Sequence, residues 1–536
     1  MIYTFINHEL SQRVIVNEAC LNIKVNRFHL LAFDNRDSMK RVNFMKTVKA
    51  GKVLLILLIL IALNGCAGKD KTKEIVWYIE QGSESWIDSE ETYKAISNER
   101  IDAVNERLKE MKTGLKLVIK QYPRPESLEG FSLNNQKKLV SNIISKDENV
   151  DIVPFNQTYI SALEPLDTLF DTKEGKDLSQ YYSQNQLDTE KLNNQIYLVP
   201  KIVYPLETFC LFINKDYYQA HKEAIDHVIH QPLEVLKYFN ENYQNKKDWI
   251  LSQRFNLETY IADKYQNINN TGLFIRKKDH KVVNPYEEPY ILDTIKLISD
   301  MRWKGFTGAD LRQEDLNDII SKDQVVMDGS RGFTQRLKQK EKDVRLDMTK
   351  EYYAYVSGFS ILKDSKQKED AFRLMAILNT DKECSTILQF GTKPERNASG
   401  KIIDHAHYTN SSWNNFGNNM IIESSENEVD NKLDYFKKLE EGANITKEEL
   451  LPSFFDLSNV SDKLDQFDNI RMATADGDAD VIGCIACNKG DTVKDTDTLM
   501  KDVEEVNQKL KNAGIDQVIQ ELQKQLDEWL ENETGN

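Results

Sequence analysis

Six cysteines in 536 residues are too few for a disulfide-stapled scaffold. Cys484 and Cys487 have the spacing of a redox pair or half a zinc site. No second pair and no preceding Trp-Cys accompanies them, so a local disulfide or two free thiols is the reading. Positive charge is also short: 70 Lys and Arg stand against 86 Asp and Glu, a net of −16. That balance argues against nucleic acid and against adhesion to anionic lipid through the protein surface. Long apolar runs are missing as well. Residues 53–63 form an eleven-residue run, which at about 1.5 Å per residue reaches about 17 Å of a roughly 30 Å hydrocarbon core. It is therefore not a spanning helix. The chain has no P-loop, dinucleotide fingerprint, nucleophile elbow or short-period repeat. His221, His227, His230, His405 and His407 come without a metalloenzyme signature and read as surface histidines. Asp476-Gly477-Asp478-Ala479-Asp480 fails as a calcium loop, because Val481 and Cys487 stand where Gly and Glu are required. No metal and no cofactor is expected. Carboxylates are abundant, but sequence cannot set two of them about 5 Å or 6.5–9.5 Å apart as a glycosidase needs.

What is present begins with Lys46, Lys49 and Lys52, the apolar run, and then Leu63-Asn64-Gly65-Cys66. A basic lead, a short apolar core and small residues before a cut are the parts of a secretory signal. The ending resembles a bacterial lipobox. This implies a diacylglyceryl group on the Cys66 sulfur, cleavage just before it, and residence on the extracellular face of the cell membrane. Two acyl chains hold far better than one, at about 0.8 kcal/mol per buried CH₂. Nine Lys or Arg and four Asp or Glu lie upstream of Cys66, so the remainder carries −21. Met39 and Met45 are alternative starts to Met1, since a signal begins close to its basic region.

The remaining length, about 470 residues, exceeds one core and suggests two large lobes. Residues 74–79 (Glu-Ile-Val-Trp-Tyr-Ile) are a compact apolar strand, with Trp77 facing the core. A helix over 93–112, a strand at 115–120, a helix over 137–145 and a strand at 150–155 follow. This alternation is that of a parallel sheet covered by helices. The loops after the strand carboxyl ends, 81–86 and 156–159, then share one edge, where open sheets bind ligands. Tyr122-Pro123-Arg124-Pro125, after the second strand, reads as a cleft lip or a rigid turn. The pattern resumes with a strand at 207–214, helical stretches at 225–240 and 286–301, and a strand at 324–327 with residues 328–333 as its loop. A strand at 352–361 and a helix at 371–378 come next. Ile515, Val518, Ile519, Leu522, Leu526, Trp529 and Leu530 mark a strongly periodic last helix.

Several segments, in order, resemble the extracellular solute-binding lipoproteins of bacterial ABC importers, the group that includes maltose-binding protein. These are the opening strand and its polar loop; Asn149-Val150-Asp151-Ile152-Val153-Pro154-Phe155 with Leu163-Glu164-Pro165-Leu166-Asp167; and Tyr197-Leu198-Val199-Pro200, Val203-Tyr204-Pro205 and Leu211-Phe212-Ile213-Asn214-Lys215-Asp216. Residues 352–361 with Ala371-Phe372-Arg373-Leu374 are similar to the return crossover, and the segment from Ala513-Gly514 to Trp529 to the closing helix. The resemblance implies an α/β, two-lobe periplasmic-binding-protein-like fold (type II), with a ligand cleft between lobes joined by crossover strands. It implies 1–65 as signal and upstream segment, 66–73 as tether, 74–203 as the first part of lobe 1 and 204–350 as the first part of lobe 2. Residues 351–380 return to lobe 1, and 381–536 contribute mainly to lobe 2 and the closing helix. The expected protein is a non-enzymatic monomer that binds a solute, an oligosaccharide by preference, and hands it to permease subunits. Rings and polar side chains suit sugars. The candidate ligands are therefore Gln81, Ser83, Glu84, Trp86, Phe155, Asn156 and Gln157 on one side, and Tyr204, Arg331 and Phe333 on the other. Trp413, Asn414 and Asn415 come from a further loop. The alternatives are an extracellular glycan-active enzyme and an adhesion or sensing lipoprotein without transport.

Overall fold

The structure, a computed structural model, describes residues 72–80, 90–122, 140–141, 149–202, 206–242, 257–269, 271–303, 327–331, 343–352, 358–403, 417–424, 430–443, 446, 449–474 and 495–534. All of them belong to the unit Thr72–Asn536. In chain order the strands are β1 (Lys73–Glu80), β2 (Leu115–Tyr122), β3 (Ile152–Pro154), β4 (Val199–Pro200), β5 (Leu206–Asn214), β6 (Tyr265–Ile268), β7 (Leu273–Arg276), β8 (Lys281–Val283), β9 (Met327–Arg331), β10 (Asp343–Tyr352) and β11 (Gly358–Ile361). The longer helices are α1 (Glu90–Glu110), α2 (Lys215–Val228), α3 (Pro232–Asn242), α4 (Pro289–Trp303), α5 (Lys368–Thr380), α6 (Lys382–Phe390), α7 (Lys432–Ala443), α8 (Ser461–Thr474), α9 (Thr496–Asn512) and α10 (Ile515–Thr534).

The first sheet has the order β2-β1-β3-β11-β4. β1 runs parallel to β2 and β3, and β11 runs antiparallel to β3 and β4. β1 is apolar without alternation because both of its faces are covered. Ile75, Trp77 and Ile79 pack with Val104 and Leu108 of α1 and with Phe372 of α5. Val76 points the other way, into a cluster holding Val153, Phe155, Leu198 and Phe454. Asn105 of α1 grips β2 at both backbone groups of Leu117, donating to its carbonyl at 2.9 Å and accepting from its N–H at 2.7 Å. The buried Asp151 carboxylate accepts from the N–H of Val76 and from the Ser365 hydroxyl, tying the entry of β3 to β1 and to the turn after β11. Gly358 is required where β11 begins: an added Cβ would lie 2.6 Å from the Val199 carbonyl.

A second, antiparallel sheet has the order β10-β5-β9, and a third the order β6-β7-β8. A large core joins Ile213 at the end of β5 with α2, α3, α4, α9 and α10. The stripe expected on the last helix is its inner face, with Val518, Leu522 and Leu526 fully buried. α10 also closes the edge of the third sheet. Gln523 accepts from the Val282 N–H at 2.8 Å and donates to the His280 carbonyl at 3.0 Å, replacing a missing strand partner.

Some boundaries differ from the sequence reading. The helical stretch at 225–240 is two helices, because Pro232 lacks an N–H and starts α3 at its first position. A 3₁₀ turn at Pro285–Glu287 precedes α4, which likewise starts on a proline. Residues 328–331, expected as loop, are strand: β9 pairs Asp328 with Phe212 and Arg331 with Phe209. The ladder with β5 overrides a turn-like composition. Of the strand expected over 352–361, Tyr352 ends β10 and Gly358–Ile361 form β11, while residues 353–357 lie outside the described residues.

Candidate functional site

Strand direction gathers the chain's crossings at one edge. β1, β3 and β4 point the same way, so Glu80, Pro154 and Pro200 end at a common edge of the first sheet. From Pro200 the chain passes to Leu206 at the start of β5. It returns from Tyr352 at the end of β10 to Gly358. Tyr352 pairs with Leu206, and Gly358 pairs with Pro200. The outgoing and returning crossings are thus neighbours at both ends.

A third connection, residues 450–460, was not read from the sequence. Its adjacent phenylalanines enter different cores: Phe454 packs with the first-sheet cluster, while Phe455, with Leu451, Leu457 and Val460, belongs to the large core. Ser453 donates to the Thr189 carbonyl at 2.8 Å, and Leu457 to the Gln157 carbonyl at 3.0 Å. On the other side, Gln525 of α10 brackets Asp456 by accepting from its N–H and donating to its carbonyl, and Gln266 donates to the Pro452 carbonyl. The run Leu450-Leu451-Pro452 through Leu457 was visible as apolar. Periodicity gives no sign that neighbouring rings part company.

The predicted ligand residues after β3 anchor this connection. Phe155 is buried, its ring centroid 4.7 Å from that of Phe454 and tilted by 58°. Asn156 is buried, and its Oδ1 accepts from the Thr158 N–H and hydroxyl at 2.8 and 2.7 Å, an Asx-type turn that carries the chain off the strand. Gln157, also buried, accepts through Oε1 from the Phe455 N–H at 2.8 Å. Among the described residues its Nε2 has no hydrogen-bond partner. Arg331 closes β9, and only its backbone is described. Gln81, Ser83, Glu84, Trp86, Tyr204, Phe333, Trp413, Asn414, Asn415 and Cys66 lie outside the described residues, as do His405, His407, Cys484, Cys487, residues 476–480 and most of 137–145. Trp77 is core, 2% exposed and edge-on to Phe359. His221 stacks on Tyr217 and bonds the Tyr238 hydroxyl. Among the described residues no cluster of His, Cys, Asp and Glu is arranged to hold a metal, and no helix is long and apolar enough to cross a membrane.

The root of the outgoing crossing is desolvated. Tyr182 donates to the Pro200 carbonyl at 2.7 Å, and burial, reinforced by the Glu190 carboxyl, holds its phenol well above the usual range. Burial pushes Glu190 itself up to about 8, against the opposing hydrogen bond from Gln186. Burial also lowers the next residue of the crossing, Lys201, to about 8. Such low-dielectric surroundings strengthen every hydrogen bond that fixes the crossing.

This arrangement, a mixed sheet whose parallel strand ends meet neighbouring crossings into a second antiparallel sheet, is the two-lobe fold of extracellular solute-binding proteins. The chain is 22% identical to an N-glycan transport solute-binding protein (NgtS) from Streptococcus pneumoniae, with a TM-score of 0.58 over 86% of this chain and 99% of that one. An extracellular solute-binding protein from Bifidobacterium longum subsp. infantis superposes with a TM-score of 0.50 at 12% identity, over 86% of this chain and 99% of that one. A carbohydrate ABC transporter substrate-binding protein of S. pneumoniae is 25% identical over 428 residues, 74% of this chain and 82% of its own. Residues 487–531 match a domain of unknown function, DUF3502.

Proposed function

We propose that this chain is a lipid-anchored extracellular receptor that captures an oligosaccharide and delivers it, unaltered, to the permease subunits of an ABC importer. The observation that carries the reading is the gathering of strand ends and crossings at one edge, where two lobes can hinge about a few strands and close on a solute. The similar proteins add the ligand class. Two are named for carbohydrate or N-glycan transport, and the NgtS protein has been solved with Man1GlcNAc and with Man5GlcNAc. Mannose- and N-acetylglucosamine-containing oligosaccharides are therefore the first ligands to test.

Lobe 1 comprises 74–203 and the return from 351, and lobe 2 comprises 204–350 with the C-terminal region. The common core that α5 and Cys384 and Leu388 of α6 share with β1 supports carrying lobe 1 past residue 380. The ligand contacts fall to Gln81, Ser83, Glu84 and Trp86 after β1, and to Tyr204, Arg331, Phe333, Trp413 and Asn414. β1 ends at the edge where the crossings meet the sheet, which supports the candidates that follow it in sequence most directly. Cys66 supplies the anchor and keeps the receptor beside its transporter.

Thermal-shift titration of the protein against a glycan panel tests the ligand class. Saturable stabilisation by one or more oligosaccharides is expected. No shift with any saccharide, alongside a clear shift with peptides or another solute class, overturns it. Labelled palmitate incorporated by the wild type and lost in Cys66→Ser tests the anchor.

A further inference from the structure

The helices α9 and α10 fill most of the segment that matches the domain of unknown function. Leu499, Val503, Val506 and Leu510 of α9 and Ile515, Val518, Leu522 and Leu526 of α10 are buried in the large core, so this hairpin moves with that core. At about 100° per residue, Gln523 and Gln525 project about 80° to either side of the stripe that Leu522 and Leu526 bury. Each amide stands in for a peptide group, accepting from one N–H and donating to one carbonyl. Gln523 serves the edge of the third sheet, whose residues Phe274, Ile275, Val282 and Val283 belong to the same large core. Gln525 serves Asp456 of the third connection, accepting from its N–H at 2.8 Å and donating to its carbonyl at 3.0 Å.

The two glutamines therefore do different things. Gln523 seals an edge within one core, whereas Gln525 reaches a segment that is held from the opposite side as well. The Phe455 N–H donates to the Gln157 side chain at 2.8 Å, and the Leu457 N–H to the Gln157 carbonyl at 3.0 Å. Three consecutive N–H groups are thus taken by the turn after β3, by α10, and by the turn after β3 again. Successive Cα atoms are only about 3.8 Å apart, so both bodies grip the connection within a single residue of each other. With all of these bonds in place the connection neither slides along α10 nor peels from it. Relative rotation of the two cores is then absorbed by the dihedral angles of residues 455–457.

We propose that the C-terminal hairpin clamps the hinge, with Gln525 as the positioning residue that fixes the pivot of lobe closure at residues 455–457. The proposal rests on the two-lobe receptor reading above and is independent of which solute is bound. A fixed pivot leaves the lobes few orientations to lose on closing. A loose one adds orientations to the open form, and capture of the solute must then remove them.

The test measures the distance between spin labels introduced as non-canonical residues at Lys109 of α1 and Lys237 of α3, exposed positions one beside each core. Double electron–electron resonance on the intact, unliganded protein reads the spread of that distance. Gln525→Met, which keeps the side-chain length and loses both bonds, should widen the distribution by about 1.5-fold or more. Gln523→Met loses as many bonds from the same helix and should leave the width at the wild-type value. Both substitutions lower the melting temperature, so a purely structural role would not separate them. Gln525→Ala keeps the comparison readable if the Met variant fails to fold, because water takes up the two bonds at this half-buried site without tying the connection to α10. A wild-type width in the Gln525 variants overturns the proposal, as does equal widening in Gln523→Met. Failure of the receptor reading looks different: a mannose–N-acetylglucosamine oligosaccharide and other solutes then leave the wild-type distance unshifted, while the widening in the Gln525 variants persists.

Discussion

Replacing Glu190 by Gln is expected to stabilise the protein at neutral pH and to remove a defined part of its pH dependence. Glu190 is 2% exposed, its carboxyl accepts one hydrogen bond from Gln186 at 3.2 Å, and its second oxygen has no partner among the described residues. Its ordinary value of 4.5 is pushed up to about 8 by burial. In that interval the folded protein keeps a proton that the unfolded chain releases. Stability is therefore greatest below about 4.5, falls as pH rises at about 1.4 kcal/mol per pH unit, and levels off above about 8. At pH 7 the loss is on the order of 3 kcal/mol. Gln has the same shape, carries no charge, and keeps an oxygen to accept the hydrogen bond from Gln186. Urea denaturation of wild type and Glu190→Gln should show an advantage for the variant that grows from about 1 kcal/mol near pH 5 to about 4 kcal/mol near pH 8. A difference that is constant across this range would refute the reasoning, because it would mean that the carboxyl titrates alike in both states.

Lys201 supplies the opposite slope. Its folded value of about 8 lies below its ordinary 10.5, so stability recovers as pH rises between the two, and Lys201→Met should abolish that recovery in the same denaturation series. Phe454→Ala removes the ring that locks the third connection to the first core, at a cost of about 3–5 kcal/mol in chemical denaturation. Gln157→Ala leaves the buried Phe455 N–H unpaired and should cost about 1–3 kcal/mol, read the same way. Gly358→Ala drives a methyl into the Val199 carbonyl and should lower the melting temperature by several degrees, whereas Gly400→Ala, with nothing within 4 Å of its added carbon, should do so only through backbone strain.

Much of the frame was legible because its signals are local. The uninterrupted apolar β1 announces a strand covered on both faces, and the stripe from Ile515 to Leu530 announces a helix with one buried side. The crossings were legible through the resemblance of residues 197–216 and 352–361 to those of solute-binding lipoproteins, whereas the strand order, with β11 antiparallel in the middle of the sheet, was not. What escaped depends on partners far away in sequence. Asn156 and Gln157 are polar residues just past a strand end, the pattern of a ligand loop, yet their side chains hold a turn and a segment some 300 residues later. Phe454 and Phe455 look alike in sequence and diverge only because two cores meet there. Residues 328–331 carry turn-forming Asp, Gly and Ser but form a strand because β5 offers them a ladder.

Isothermal titration of the intact protein with a mannose–N-acetylglucosamine oligosaccharide, followed by mass analysis of the recovered sugar, tests the receptor assignment at its centre. Saturable binding with the oligosaccharide recovered whole is the predicted result. Recovery of shortened glycan would make the protein an enzyme, and absence of binding to any glycan while another class of solute binds would contradict the carbohydrate assignment.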